Sequence, residues 1–240
     1  MKARLKNQLC LTVGALWLAT SLPLAADVIY DNTVNDLHLR FNPGHNEVGD
    51  EIVLSGTQRY LTSFSFEYWG TNTLSPGNIS FSGAVQARVI FYENNGPLFP
   101  GGPGSYASPG TVFYDSGYFP IIPTPRSTVT FTASDFASGL VPLIGAMPVV
   151  SNMTWSVQFT GLNSSDSVGV DLYSPPVVGG NYADYWQNTG FGGWTLMTNS
   201  AGPIDFGAQM QAAPEPSSLL LGLVGGLGVL FGVGRFGRKK

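Results

Sequence analysis

The chain has 240 residues, of which 43% are hydrophobic and 11% are charged, and its formal net charge is −4. Most of the basic residues lie near the two ends, so residues 27–213 contain four arginines and no lysine against fourteen acidic residues. A body with a net charge of −10 repels phosphate backbones, which excludes nucleic acid as a partner.

The first 26 residues have the three parts of a secretory signal peptide. Three basic residues precede an uncharged apolar stretch, which ends in small residues at Ala26. We therefore expect signal peptidase to cut after Ala26. The alternative is a retained N-terminal membrane anchor, but the apolar stretch is short for a membrane span and Pro23 interrupts it.

Cleavage after Ala26 would also remove Cys10, which is the only cysteine of the sequence. The mature chain would then have no disulfide, no zinc–thiolate site and no cysteine nucleophile. An ordinary hydrophobic core must therefore hold the body together. A body of roughly 185 residues is long enough to form one, because even a ~150-residue domain buries about two thirds of its unfolded surface.

Residues 27–211 alternate short strand patterns with turn-forming residues and show no helical period. Phe64, Phe66 and Tyr68 alternate with polar residues, which is the period of a strand with one buried face. Many short strands without helices predict an all-β fold, a single antiparallel β-sandwich of jelly-roll-like type. The same alternation recurs at residues 84–92, 129–131, 155–159, 168–172 and 204–208.

Glycine and proline mark the predicted connections between these strands. Residues 96–110 contain five glycines and four prolines, so we expect a long irregular surface loop there. Pro120, Pro123 and Pro125 confine their segment to an edge strand or a loop, because proline lacks the N–H group that a central strand must donate.

Residues 212–240 combine three features in a fixed order. Pro214-Glu215-Pro216 comes first, and its prolines keep Glu215 on an extended, accessible segment. Residues 217–234 are eighteen uncharged residues, just enough to cross a hydrocarbon core of about 30 Å as a helix. Four basic residues follow, and the positive-inside rule predicts that they stay in the cytoplasm while the body lies outside.

This tail closely resembles the PEP-CTERM sorting signal of exopolysaccharide-producing Gram-negative bacteria. The resemblance implies that an exosortase, a membrane-embedded cysteine transpeptidase, recognises Pro214-Glu215-Pro216, cuts nearby and transfers the protein to a surface anchor. The alternative is a permanent single-pass anchor, which a Gly-x-x-x-Gly pair at Gly222 and Gly226 would suit. Six glycines in the span weaken the helix, however, and favour a transient anchor.

The body is similar to the choice-of-anchor domains that often precede such tails. The resemblance implies a β-sandwich fold and transfers no catalytic residue. It covers most of residues 27–211 through loose motifs at residues 49–54, 61–66, 87–92, 114–117, 154–159 and 184–186.

The sequence offers little that would support catalysis. Its only histidines are His38 and His45, and neither a Gly-x-Ser-x-Gly elbow nor a histidine spacing typical of zinc enzymes accompanies them. Glu67 lies on the polar side of its predicted strand, where a glycoside hydrolase could use a carboxylate. Such an enzyme, however, needs a second acid across a cleft. A solvent-facing strand residue is the simpler interpretation, so we expect no enzyme.

Oxygen-bearing side chains cluster just after the predicted cleavage site. Asp27, Asp31, Asn32, Asn35 and Asp36 carry ligand types that calcium prefers, since calcium takes about six to eight oxygen ligands from flexible loops. No EF-hand spacing is present, and Asp and Asn also form turns. Two interpretations stay open, a calcium site at Asp27, Asp31 and Asp36 or a run of turn residues with no cofactor.

A cluster of aromatic residues interleaved with asparagine and glycine predicts a platform for glycans. Tyr182, Tyr185, Trp186 and Trp194 could stack on the apolar faces of sugars while amides bind hydroxyl groups. The alternative is that these rings pack in the core, as Trp155 is expected to do.

These patterns together predict an exported, noncatalytic protein of the cell surface or extracellular matrix of a Gram-negative bacterium. Its expected partners are signal peptidase, an exosortase, the inner membrane before processing, and an exopolysaccharide layer associated with biofilm. The alternative function is a carbohydrate-binding module, and an extracellular hydrolase comes third.

Overall fold

The computed structural model describes residues 26–74, 77, 80–99, 106–136, 141–142, 152–190, 193–199 and 202–213. Three predicted segments lie outside these residues. They are the signal peptide apart from Ala26, the sorting motif at Pro214-Glu215-Pro216 and the membrane span at 217–234. Within the residues described, no helix is long and apolar enough to cross a membrane.

The described residues form seventeen β-strands, and one short 3₁₀ helix covers Ala133–Asp135. The strands are β1 (Asp27–Asp31), β2 (Asp36–Phe41), β3 (Glu47–Val53), β4 (Tyr60–Asn72), β5 (Gln86–Glu93), β6 (Leu98–Phe99), β7 (Tyr106–Ala107), β8 (Val112–Asp115), β9 (Phe119–Pro120), β10 (Thr124–Thr132), β11 (Val141–Pro142), β12 (Asn152–Thr160), β13 (Asp166–Tyr173), β14 (Gly180–Asn181), β15 (Asp184–Asn188), β16 (Trp194–Thr198) and β17 (Ala208–Ala213).

Two large antiparallel sheets contain most of these strands. The first sheet has seven strands in the order β1-β17-β4-β13-β2, with β10 and β11 also paired to β4. The second sheet has eight strands in the order β16-β15-β3-β12-β5-β8, with β14 paired to β3 and β9 to β5. The predicted all-β, antiparallel fold is therefore confirmed for the described residues, and its arrangement resembles a sandwich.

The hydrophobic core lies between the inward faces of the two sheets. Phe64 and Phe66 of β4 are fully buried, as is Trp155 of β12 on the opposite sheet. The indole ring of Trp155 lies 5.3 Å from the ring of Phe64 and 5.9 Å from that of Phe66, measured between centroids. The inward positions predicted from the period of two are confirmed in these strands, because one face of each must leave water.

The structure differs from the sequence prediction near residue 206. The alternation of Ile204, Phe206 and Ala208 predicted a strand, but β17 begins only at Ala208. Phe206 instead forms an isolated bridge with Leu172. The reason is that the Phe206 N–H donates to a side-chain oxygen of Asp50 rather than to a neighbouring strand.

The glycine- and proline-rich segments lie at edges, with one departure from expectation. Pro120 lies in β9, which pairs only with β5, and Pro125 falls where the pairing of β10 with β4 shifts its register. The predicted loop at residues 96–110 is less irregular than expected, because β6 and β7 pair within it. The Ser108 N–H also donates to the carbonyl oxygen of Pro97, at 3.1 Å.

Candidate functional site

The outer face of the second sheet collects polar and aromatic side chains from several strands. Successive residues of a strand point to opposite faces, so Ile52 of β3 turns into the core while Glu47 and Glu51 turn outward. We call this surface the polar-aromatic face. It consists of Glu47, Glu51, Tyr92, Tyr106, Tyr182, Trp186 and Trp194.

Glu47 is a nearly buried carboxylate that two hydroxyl groups hold in place. Its Oε1 accepts hydrogen bonds from the Tyr92 hydroxyl at 2.8 Å and from Ser156 Oγ at 2.6 Å. Burial, followed by the charge of Glu47, raises the pKa of Tyr92 well above its usual value. The Tyr92 ring also contacts the ring of Trp194, with centroids 5.3 Å apart. The carboxylate of Glu47 is thus fixed as a hydrogen-bond acceptor beside the contacting rings of Tyr92 and Trp194.

Glu51 lies two strand repeats further along β3 than Glu47, beside Trp186 and Asn152. Its side chain accepts from Asn152 Nδ2 at 2.6 Å and from the Trp186 indole N–H at 3.4 Å. Burial raises the pKa of Glu51 in spite of these two donors. Trp186 pairs in register with Gly49, where a Cβ atom would lie 2.7 Å from Thr154 Cγ2. Gly49 therefore adds no side chain to this part of the face.

Two tyrosine rings near Glu51 remain exposed to solvent. Tyr182 is 44% exposed and Tyr106 is 39% exposed. Burial raises the pKa of Tyr182, and the charges of Glu51, Asp184 and Tyr106 add to the rise. Phe99, from the neighbouring β6, meets the Trp186 ring edge-on with centroids 6.0 Å apart. Exposed rings thus border a partly covered carboxylate and a buried indole.

The structure divides the four residues predicted to bind glycans. Tyr182, Trp186 and Trp194 contribute to the polar-aromatic face, although Trp186 is fully buried and Trp194 is half-buried. Tyr185 instead faces the core, where its ring lies 4.9 Å from that of Phe41 and 6.2 Å from that of Phe206. Adjacent residues of β15 point to opposite faces, so Tyr185 and Trp186 do not share a surface.

Sequence reasoning missed two tyrosines of this face. Tyr92 follows Gln86 and Arg88 on the polar phase of β5, so the period of two contained a signal for it. Tyr106 comes from a glycine- and proline-rich segment with no periodic pattern, and nothing in the sequence pointed to it.

The acids predicted to bind calcium have separate partners in the structure. Asp27 accepts from Gln58 Nε2 at 2.7 Å, and Asp31 accepts from the backbone N–H of Thr33 at 3.0 Å. Asp36 binds Arg126 at 2.8 Å, and this contact holds the pKa of Asp36 below its usual range. In the part of the chain that the structure describes, no three carboxylate, imidazole or thiol side chains converge to hold a metal ion.

Glu67 lies on the first sheet, in a group of charged side chains around Arg126. The Tyr173 hydroxyl donates to Glu67 Oε2, and Arg126 Nε lies 3.6 Å from the same oxygen. Arg126 Nε is also 3.6 Å from Asp171, which is fully buried and lies 3.5 Å from Arg40 Nε. We call Asp36, Arg40, Glu67, Arg126 and Asp171 the first-sheet ion cluster.

The polar-aromatic face is suited to a ligand with both apolar faces and hydroxyl groups. Aromatic rings stack on apolar surfaces, while carboxylate and amide groups bind polar ones. No family model, no curated protein and no solved structure matches this chain.

Proposed function

We propose that this chain is an exported, noncatalytic surface or matrix protein. Its body, a jelly-roll-like β-sandwich, is carried out of the cell by the predicted signal peptide at residues 1–26. The predicted sorting tail at residues 212–240 holds it briefly in the inner membrane, and an exosortase then transfers it to the surface. The final location is the cell surface or matrix of a Gram-negative bacterium.

The observation that carries the noncatalytic role is how the outward carboxylates are held. Tyr92 and Ser156 hold Glu47, Asn152 and Trp186 hold Glu51, and Tyr173 with Arg126 holds Glu67. A catalytic acid or base must reach its substrate, and a glycoside hydrolase needs two such acids across a cleft. These carboxylates instead bind donors of the protein itself, which favours a structural role.

The charge of the body restricts the polymer around it. Residues 27–213 carry fourteen acidic side chains against four basic ones. Long-range repulsion disfavours close contact with anionic polysaccharide. The acidic surface of the body is therefore most compatible with a neutral or cationic exopolysaccharide.

Removing residues 214–240 tests the proposed attachment. The cut falls directly after β17, which ends at Ala213, so the paired strands of the body are kept. We expect most of the truncated protein in the culture medium as a folded species, measured by immunoblotting of cell and medium fractions. Floc or biofilm mass, measured in parallel, reports the role of the attached protein.

A matched variant separates recognition of the motif from membrane insertion. Replacing Pro214 and Pro216 with alanine keeps the apolar span, so the protein should accumulate uncut in the inner membrane. If the truncated protein stayed attached to cells as fully as the wild type, the proposed role of the tail would be wrong.

Carbohydrate binding is the second candidate function, and the exposed tyrosines favour it. Tyr106 pairs with Phe99, which contacts Trp186, and the charge of Glu51 acts on Tyr182; more than a third of each tyrosine is exposed. Both rings are therefore free to stack on a sugar while Glu51 and Asn152 lie within the same surface.

Alanine variants of these tyrosines test the second candidate. Tyr106→Ala and Tyr182→Ala should each weaken binding to a recognised polysaccharide by about tenfold, because a stacked ring contributes on the order of 1 kcal/mol or more. The matched control is Tyr118→Ala, since Tyr118 is 46% exposed in the connection between β8 and β9 but contacts Gln158 and Arg88 instead. Glycan arrays give the readout, and equal losses in all three variants would contradict a site at Glu51.

A further inference from the structure

A second group of acidic side chains lies between the two sheets, away from the polar-aromatic face. Asp50 turns inward from β3 and is 0% exposed, and Asp205 is 2% exposed just ahead of β17. The Phe206 N–H donates to Asp50 Oδ2 at 3.1 Å, so Asp50 lies beside the peptide that carries Asp205. Two carboxyl groups from distant parts of the chain thus meet inside the fold.

Several polar atoms around these two carboxyl groups have no hydrogen-bond partner. They include Oδ1 of Asp50, Oδ1 of Asp205, the hydroxyl of the fully buried Tyr30 and Nδ2 of Asn181. Such atoms cost free energy when they are buried and unsatisfied. A bound cation would satisfy the oxygens among them.

Burial affects the ionisation of the acidic groups around the contact between Asp50 and the Phe206 N–H. Burial and then the charge of Asp205 raise the pKa of Asp50, while burial raises the pKa of Asp205 to about 6. Burial and then the charges of Asp50 and Asp205 raise the pKa of Tyr30. Asp184 adds a third negative charge that acts on both aspartates. Ionising both aspartates would therefore give the group a strongly negative potential, which a bound cation would neutralise.

No basic side chain of the described body is available to neutralise this potential. Arg40 and Arg126 bind Asp171, Arg88 binds Asp115, and Arg59 donates to backbone oxygens. Uncompensated buried carboxylates are expensive, so they are normally paired, protonated or bound to a metal ion. The donor types here are carboxylate, amide and hydroxyl oxygen, which are the ligands of calcium.

We propose that Asp50 and Asp205, together with oxygens of Tyr30, Ser174 and Asn181, form a calcium site between the two sheets. Ser174 follows Tyr173, whose N–H donates to the carbonyl oxygen of Asp205 at 3.0 Å, and Asn181 pairs in register with Ile52, two residues from Asp50 on β3. The amide of Asn181 would present Oδ1 to the ion once its oxygen and nitrogen exchange positions. Water molecules would supply the remaining ligands.

Such a site would link the two sheets, because its ligands come from both of them. Tyr30 belongs to β1 of the first sheet, whereas Asp50 and Asn181 belong to β3 and β14 of the second. Two carboxylates give fewer charges than a high-affinity site uses, so we expect a dissociation constant of about 10⁻⁴–10⁻³ M, typical of extracellular modules.

Thermal unfolding of the purified, chelator-treated protein with added calcium chloride tests the site. At pH 7.5 and constant ionic strength, 10 mM calcium should raise the Tm by about 5 °C, and equimolar magnesium should raise it much less. Asp50→Asn and Asp205→Asn should each abolish the calcium shift. Calorimetric titration of the wild type and of Asn181→Ala gives a second readout if an aspartate variant fails to fold, and Asn181→Ala should bind at least tenfold more weakly.

Two control variants keep the result specific. Asp27→Asn removes an acid of the cluster predicted from the sequence, and Asp171→Asn removes a buried acid that arginines already pair. Both should keep the full calcium shift. The proposal is overturned if calcium changes neither Tm nor heat in the wild type, or if Asp50→Asn and Asp205→Asn retain the shift. If the two carboxyls share a proton instead, calcium would change neither Tm nor heat. The Tm of the wild type would then fall as the pH rises from about 4 to about 7.

Discussion

Replacing Trp155 with alanine is expected to lower the free energy of unfolding by about 3–5 kcal/mol. Trp155 is fully buried, and its indole ring contacts Phe64, Phe66 and Phe206 with centroids 5.3, 5.9 and 5.9 Å away. Phe64 and Phe66 come from the opposite sheet, so the substitution opens a cavity at the centre of the interface between the sheets. Urea denaturation followed by circular dichroism measures the loss.

Two further variants make the Trp155 prediction specific. Trp155→Phe should cost less than Trp155→Ala, because it keeps most of the ring and removes an indole N–H that has no hydrogen-bond partner. Trp194→Ala should cost less than half as much, since Trp194 is half-buried on β16 at the end of the second sheet. Equal losses for Trp155→Ala and Trp194→Ala would contradict a core centred on Trp155.

Replacing Arg126 with methionine is expected to cost about 1–3 kcal/mol at pH 7, because it leaves acids of the first-sheet ion cluster without their cation. Arg126 lies 2.8 Å from Asp36 and 3.6 Å from both Glu67 and Asp171. The Arg126 side chain is 41% exposed, so solvent screening keeps the loss below that of a fully buried ion pair. Methionine keeps most of the apolar stem, which isolates the effect of the charge.

The loss in the Arg126 variant should shrink as the pH falls. Hydrogen bonding to Arg126 holds the pKa of Asp36 below its usual range, so this stabilisation is present above the unfolded pKa of about 3.9 and is lost as the pH falls through the folded pKa. Without Arg126 the pKa values of Asp36 and Asp171 rise. The difference from the wild type is therefore largest near pH 7 and smallest near pH 3.

Arg59→Met is the matched control for the Arg126 variant. Arg59 donates to the backbone oxygens of Gln58 and Ser55, at 2.6 and 3.3 Å. Its replacement should cost less than about 1 kcal/mol and should show little dependence on pH. Urea denaturation at pH 3, 5 and 7 gives the comparison, and an Arg126 loss that stays constant across this range would disprove the ionic explanation.

The sequence predicted the faces of strands better than their neighbours. The alternation at Phe64, Phe66 and Tyr68 identifies the buried face of β4 because burial depends on a local period. The pairing of β4 with β10, β13 and β17 joins residues that are up to about 150 positions apart. No local pattern specifies such contacts, since they depend on how all the strands pack together.

The candidate sites show the same limit. Tyr185 and Trp186 are adjacent in the sequence, yet they lie on opposite faces of β15. The inward orientation of Asp50 could be predicted from the sequence, because Asp50 lies between the inward-facing residues Val48 and Ile52. Its partner Asp205 lies 155 residues further along, and only the folded chain brings the two carboxyls together.

The proposed role as a processed surface protein depends on the fate of its tail. The most direct measurement is mass spectrometry of the C-terminal peptide of protein recovered from the cell surface. We predict that this peptide ends close to Pro214-Glu215-Pro216 and that residues 235–240 are missing from surface material. Recovery of surface protein with residues 235–240 intact would contradict the proposal and would favour a permanent membrane anchor.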